Sequence, residues 1–250
     1  MFNLFFWERF LMNTIEPEQY KYKTELHAHS SGISGCSHVT SEELIMLYAQ
    51  RGIDAVVLTN HFFHEMFEKD GGEVFAKKYV AEWQNAAKVG KKLGVNVILG
   101  MEIRFTECIN DYLVYGIDSS DVEKASTLTE SGIKEFYRIF KTESNIILQA
   151  HPFRDCMELA PKDSIDGIEV FNMHPDHNSR VAVAAKYARD NHMKISGGTD
   201  FHQTKHCGMC VIRTKFKPEN SFDIAKILNS GDFLFDISGN IVIPYNSLGE

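Results

Sequence analysis

Tyr22-Lys-Thr-Glu-Leu-His27-Ala-His29 and Asp54-Ala-Val-Val-Leu-Thr59-Asn-His61 decide how this chain is read. Each is a strand-like run that finishes in imidazole. A helix lies between them. Thr40 and Glu43 form a capping-box pair, Leu44, Leu47 and Tyr48 recur at helical spacing, and Gly52 accepts the left-handed backbone that stops a helix. Strand, helix, strand is the repeating unit of a parallel sheet. Comparable endings recur in Gly100-Met-Glu102, Ala150-His151-Pro152 and Thr199-Asp200-Phe-His202, mostly after apolar runs. Imidazole and carboxylate together suit zinc, manganese or iron(II). Five such segments point to ligands gathered at one end of a sheet, and so to a multinuclear metallohydrolase.

Working outward, the pattern predicts helices over 74–93, 132–141, 179–191 and 221–231, with Ser179 and Ser221 opening the last two. Strands are predicted over 95–105, 112–117, 145–150, 167–171, 194–198 and 209–214, with a polar stretch around Gly71-Gly72 and an extended tail over 233–244. Alternation of this kind in one domain favours an α/β fold closed, or nearly closed, as a barrel. Barrel active sites sit at the C-terminal strand ends, where the candidate ligands fall.

Residues i and i+2 of a strand share a face, so His27 and His29 can grip one ion. Glu102 ends an apolar run, where a carboxylate is costly without a partner, and its two oxygens suit it to bridge two ions. His151 stands between an apolar strand and Pro152, which ends regular structure. Asp200 and His202 follow Gly197-Gly198, which let the backbone pass close to a ligand. His61 follows the strand over 54–59, and His38 lies in the Gly/Ser-rich loop Ser31-Gly-Ile-Ser-Gly-Cys-Ser-His38. Bland readings stand beside these. The His27/His29 pair could be polar residues at a barrel mouth, Glu102 could pair with Arg104, His61 could be a satisfied core histidine, and His38 a solvated one. Arg154, three residues past His151, is a candidate phosphate fork or a solvated loop arginine. His64, His174, His177, His192 and His206 read as surface or substrate-facing residues.

The 250 residues carry a net charge of −8, without the basic stripe of a long-duplex binder. Bound divalent cations would still draw a phosphate to the cleft. Cys36, Cys108, Cys156, Cys207 and Cys210 are odd in number and not spaced like a secreted scaffold, which suggests reduced thiols in a cytoplasmic protein. Cys207-Gly-Met-Cys210 has no second CxxC to complete a zinc site. Residues 1–12 are apolar but interrupted by Glu8 and Arg9. They are too short to span a bilayer and read as part of an arm over 1–20 before a domain over 21–250.

The His27/His29 pair, Thr-Asn-His61, Gly-x-Glu102, Ala-His151-Pro and Thr-Asp200-x-His202, in this order, resemble the PHP (polymerase and histidinol phosphatase) family over roughly residues 22–215. The resemblance implies a single-domain, TIM-like distorted (β/α)7 barrel. It also implies phosphoester hydrolysis by a metal-activated water, with two to three divalent ions of the Zn, Mn or Fe type. By position, one ion would take His27, His29, Glu102 and Asp200. A second would share Glu102 and take His151, and a third would take His61, His202 and His38. His202 is also a candidate proton donor to the leaving oxygen. Two departures stand out. Asn60 replaces a frequent aspartate, and no histidine lies between Glu102 and His151, where Asp118 is a nearby substitute. The expected partner is a small phosphorylated molecule or short nucleotide, with no membrane, no long duplex and an open oligomeric state. Two alternatives keep the metals: a C–N hydrolase of the amidohydrolase type, which usually adds a strand-end lysine, and a non-catalytic regulatory domain.

Overall fold

The computed structural model describes residues 15–67 and 71–244. Most of the arm expected over 1–20, including Met12, lies outside the described residues. Twelve strands and six helices are described. The first unit forms as read. Strand β1 (Tyr22–Ala28) leads to helix α1 (Ser41–Gln50), whose Thr40 and Glu43 make the reciprocal capping box, and then to β2 (Ala55–Leu58). Leu44, Ile45 and Tyr48 of α1 are buried against Val56, Leu58, Val97 and Phe201. Full burial of one such aliphatic side chain is worth roughly 1.5–3 kcal/mol.

The strands after β2 do not form one closed ring. β3 (His61–Phe63), β4 (Asn96–Leu99), β5 (Met101–Arg104), β6 (Asp111–Tyr115), β7 (Ile146–Gln149), β8 (Gly167–Asn172), β9 (Lys194–Gly198), β10 (Cys210–Thr214), β11 (Leu234–Ile237) and β12 (Asn240–Val242) divide with β1 and β2 into two six-stranded mixed sheets. One sheet runs β12-β11-β10-β1-β2-β4 and the other β3-β5-β6-β7-β8-β9. The described strands thus give an α/β fold of two mixed sheets, with no closed sheet of the TIM-like (β/α)7 kind among them. Two local causes are visible. Antiparallel β10 takes the edge of β1 over Tyr22–Thr24, leaving a single bridge, Ala28 to Phe201, between the end of β1 and the segment after β9. And β5 joins β6 through only residues 105–110, whereas a parallel crossover needs about a dozen residues or more, so the pair is antiparallel.

The sheets are nonetheless tied where the candidate ligands emerge. β2 continues through Thr59-Asn60 into β3, and β4 through Gly100 into β5. The Gly100 amide donates to Leu58 O at 3.1 Å and the Glu102 amide to Asn60 O at 3.1 Å. The Phe201 amide donates to His27 O at 3.1 Å, and the His29 amide to Phe201 O at 3.0 Å. Tyr115, fully buried, donates its hydroxyl to Leu26 O at 3.0 Å.

The remaining helices are α2 (Gly71–Leu93), α3 (Ser119–Ser126), α4 (Gly132–Phe140), α5 (Val181–Asp190) and α6 (Ser221–Ser230). Three differ from the sequence reading. α2 opens at Gly71, inside the stretch read as polar loop. α3 was not predicted, and Asp118 is its N-cap, bonded to the Ser120 and Asp121 amides rather than facing a metal. Ser179 does not cap α5. Arg180 precedes that helix with φ of 45°, and the Ser179 hydroxyl donates to Asn172 Oδ1 at 3.0 Å. The tail read as extended contributes β11 and β12. No described helix is long and apolar enough to cross a membrane.

Close approach of β9 to β1 depends on Gly198, where an added Cβ would lie 2.4 Å from His27 Cβ. Gly198→Ala is expected to destabilise the chain by about 1–3 kcal/mol through overpacking. A denaturant midpoint unchanged from wild type would contradict this contact.

Candidate metal centre

Every segment singled out as a strand-end ligand, His38 excepted, sends its side chain into one buried volume. Glu102, on β5, stands at its middle. Its Oε1 lies 3.3 Å from His27 Nε2 and 3.1 Å from His151 Nε2; its Oε2 lies 3.5 Å from His29 Nε2 and 2.6 Å from His61 Nδ1. Asp200 Oδ1 is 3.5 Å from His27 Nε2, 3.3 Å from His29 Nε2 and 3.4 Å from His202 Nδ1. Three compact groups result: His27, His29 and Asp200; Glu102, Asp111 and His151; His29, His61 and His202.

Surrounding groups turn the imidazoles inward. His27 Nδ1–H donates to Glu169 Oε1 at 2.9 Å, which fixes the tautomer and leaves Nε2 for a ligand role. The Ser34 hydroxyl donates to Asn60 Oδ1 at 2.9 Å, so it accepts from His29 Nδ1–H at 3.3 Å. Asn60 also accepts from the Ser30 amide at 2.7 Å. Asn60 Nδ2 in turn donates to Ser30 Oγ at 3.0 Å, a bond that the aspartate frequent at this position in the family the sequence resembles could not make. His202 Nδ1–H donates to Asp200 O at 2.9 Å. Asp200 has φ of 57° and His151 of 30°, backbone strain of the kind concentrated at functional sites.

The residues present fit divalent cations. His27 Nε2, His29 Nε2, His61 Nδ1 and Glu102 Oε2 are buried without a well-aligned hydrogen bond. Buried polar atoms rarely lack partners, and these orphans converge. Charge supports the same view. Burial works to raise Glu102 and Asp200, but His27 and neighbouring histidines, with Arg154 on Asp200, hold both carboxyls well below their ordinary range. Burial works to lower His61, but Glu102 and Cys36 outweigh it and raise its pKa to about 10. His27 is likewise raised against burial, by Glu169, Asp200 and Glu102. His29 falls well below its usual value through burial and the neighbouring His61 and His202.

Arg154 is brought to the cluster. Its Nη2 donates to Asn172 Oδ1 at 3.0 Å and to Asp200 Oδ2. His38 is not brought there: its side chain is exposed, and only its amide reaches the site region, donating to His202 O at 3.0 Å. Cys36 stands where His38 was expected, with Sγ 3.1 Å from His61 Nε2. Burial works to raise its thiol, but His202 and His61 outweigh it and bring its pKa down to about 6. Asp111, not Asp118, supplies the extra group near His151, at 3.8 Å, while Arg104 grips Asp111 with two bonds of 2.8 and 2.9 Å. Sequence reading also passed over Glu169, which accepts from the His151 amide at 3.0 Å and from Asn172 Nδ2 at 3.0 Å. The available signal was a lone carboxylate inside the apolar run Gly167-Ile-Glu-Val-Phe.

The cluster floors a cleft of about 300 Å³ lined by Cys36, His61, Arg104, Arg154, His174 and His177, among others. In comparisons with known proteins, the family model described as PHP domain matches residues 25–236. A two-domain protein from Bacteroides vulgatus ATCC 8482, described as containing a predicted PHP-like metal-dependent phosphoesterase, superposes with a TM-score of 0.61 at 18% identity, over 87% of this chain and 65% of that one. The chain thus spans just under two thirds of that structure. PsfC from Pseudomonas syringae PB-5123 gives 0.53 at 12% identity over 77% and 81% of the two chains. An amidohydrolase from Chromobacterium violaceum, with bound sulfate and no metal, gives 0.47 at 16% over 72% and 87%. No curated protein matches.

These charges carry a pH signature in the metal-free chain. A histidine raised from 6.5 to about 10 on folding contributes stability that is fully present below pH 6.5 and lost as pH rises through about 10. Glu102 and Asp200, depressed on folding, contribute stability present above the ordinary carboxylate range and lost on acidification. Cys36, depressed from 9.0 to about 6 on folding, contributes stability that grows as pH rises between those values and so opposes the histidine. In a Cys36→Ser background, therefore, the melting temperature of the chelated protein should fall from pH 6.5 towards pH 10, and adding His61→Asn should flatten that fall. A chelated Cys36→Ser chain whose melting temperature rises across this window would contradict the assignment.

Proposed function

The chain belongs to the PHP domain family, and from that membership we propose a metal-dependent hydrolase that cleaves the phosphoester of a small phosphorylated molecule or short nucleotide. The observation that carries the reading is Glu102, a buried carboxylate within 3.5 Å of four imidazoles, several of whose nitrogens lack aligned partners. His27, His29, Glu102 and Asp200 would hold one ion. Glu102, His151 and Asp111 would hold a second, and His61, His202 and Cys36 a third. Zinc, manganese and iron(II) all suit this donor set. When bound, such ions supply positive charge for phosphoryl oxygens and lower the pKa of a water towards about 7.

The chain's own groups do the rest. Glu169 holds His27 and, through its amide, His151, so two ligands share one support. Arg154 has a buried Nε–H without a partner, a donor suited to a phosphoryl oxygen at the cleft wall. His202 spends Nδ1–H on Asp200 O, which favours a ligand role through Nε2 over protonation of the leaving group. A cleft of about 300 Å³, at the small end of ligand sites (about 300–1,000 Å³), suits one phosphorylated unit better than a duplex. No lysine lines it among the described residues, so the carbamate bridge of an amidohydrolase has no obvious source. Free Cys36, Cys108, Cys156, Cys207 and Cys210 fit a reducing compartment, and the cytoplasm is the proposed location.

Against an aryl phosphate with Mn²⁺, Glu102→Ala, His27→Ala and Asp200→Ala should each reduce turnover to background, and Glu169→Gln should cost about 10–100-fold. Full activity in the three ligand variants would reject the proposal, and a panel in which only amides turn over would redirect it. With Co²⁺ bound, Cys36→Ser should abolish a thiolate-to-metal charge-transfer band in the near ultraviolet. A wild type saturated with Co²⁺ but lacking that band would remove Cys36 from the third site.

A further inference from the structure

Beside the centre, and sharing no residue with it, lies another group of donors. One ring nitrogen of His174, one of His206 and a carboxylate oxygen of Asp176 lie within 4.8 Å of one another. His206 belongs to the short turn Thr204–His206 and is fully buried, yet neither of its ring nitrogens has a hydrogen-bond partner. Buried imidazoles seldom stay wholly unpaired, and the groups found beside this one are a ring and a carboxylate outside bonding range. The His174 ring lies 4.6 Å from it, centroid to centroid, and Asp176 Oδ2 lies 3.6 Å from its Nε2, beyond hydrogen-bond distance. Two ligands each about 2.0–2.1 Å from a tetrahedral zinc stand roughly 3.3–3.4 Å apart, close to that spacing.

We propose that His174, Asp176 and His206 form a separate site for a zinc-class divalent cation. Two imidazoles and a carboxylate with an open fourth position are a donor set that zinc and its neighbours accept. Asp176 is half exposed, so the ion has a path from solvent and the carboxylate has room to rotate onto it. His174 Nδ1 accepts from the Asp176 amide at 3.2 Å, a long contact that an ion can replace. Lys205 Nζ lies 3.4 Å from Asp176 Oδ2 and supplies the countercharge that the cation would displace. His174 also lines the main cleft, its ring centroid 5.4 Å from that of His202. The site therefore borders the substrate mouth without being part of the cluster around Glu102.

Zn²⁺ stoichiometry tests this independently of any phosphoesterase activity. Equilibrium dialysis of the full chain with Zn²⁺, followed by elemental analysis, should show one equivalent fewer in Asp176→Ala and in His206→Asn than in wild type. Lys205→Ala should hold its last equivalent several-fold more tightly. His151→Ala, which acts on the other centre, should keep this equivalent, and His151→Ala combined with Asp176→Ala should lose both additively. Buried His206 is the riskier substitution, so half-exposed Asp176 decides. A folded Asp176→Ala chain that binds Zn²⁺ with wild-type stoichiometry overturns the site, whatever the activity of the enzyme.

Discussion

A carboxylate with no exposed surface and four imidazoles around it is the constraint on which this molecule turns. Glu102 could not be buried at the end of an apolar strand on its own, because removing a charge from water costs far more than one strand's packing returns. In the metal-free chain the balance is kept by protonated histidines, with His27 and His61 both raised against the pull of burial. Divalent cations replace those protons with a larger charge at the same place. They also give Nε2 of His27 and of His29, which lack an aligned hydrogen bond, something to bind.

The architecture serves that convergence. Two sheets, rather than one ring, bring their strand ends together because β2 and β4 run on through Thr59-Asn60 and Gly100 into β3 and β5. Glu102 and His61 thus become register partners on adjacent parallel strands, while His27 and His29 arrive from β1 and Asp200 from the turn after β9. Around them, a layer of neutral or oppositely charged groups fixes each ring. Glu169 does so for His27, Ser34 with Asn60 for His29, and the Asp200 carbonyl for His202. Preorganisation of this kind is what lets a site bind ions without first rearranging.

Much of this was legible in the sequence, for definite reasons. Alternating helical and strand periods are local properties, and so are the capping box at Thr40 and the glycine stop at Gly52. A histidine or carboxylate that ends an apolar run is equally visible, which is why His27, His29, His61, Glu102, His151, Asp200 and His202 were found and meet in one volume. Sheet closure was not legible, because it depends on which strand claims a given edge, and nothing local in Tyr22–Thr24 says that β10 will pair there. His38 was expected from its place in the resemblance, whereas the loop's path leaves its side chain exposed and brings Sγ of Cys36, itself an exposed residue, within 3.1 Å of His61 Nε2. Asp111 and Glu169 escaped notice for another reason. Asp111 opens its strand rather than closing it and Glu169 lies inside its own, and what marks each is a partner distant in the chain, His151 for the first and His27 for the second.

The most direct test is anomalous diffraction from crystals soaked in Zn²⁺. The account predicts a peak within about 2.0–2.3 Å of His27 Nε2 and His29 Nε2 and of a Glu102 oxygen, with a second peak on the other side of the same carboxylate beside His151. Saturating Zn²⁺ that leaves no anomalous density within bonding distance of Glu102 would contradict it.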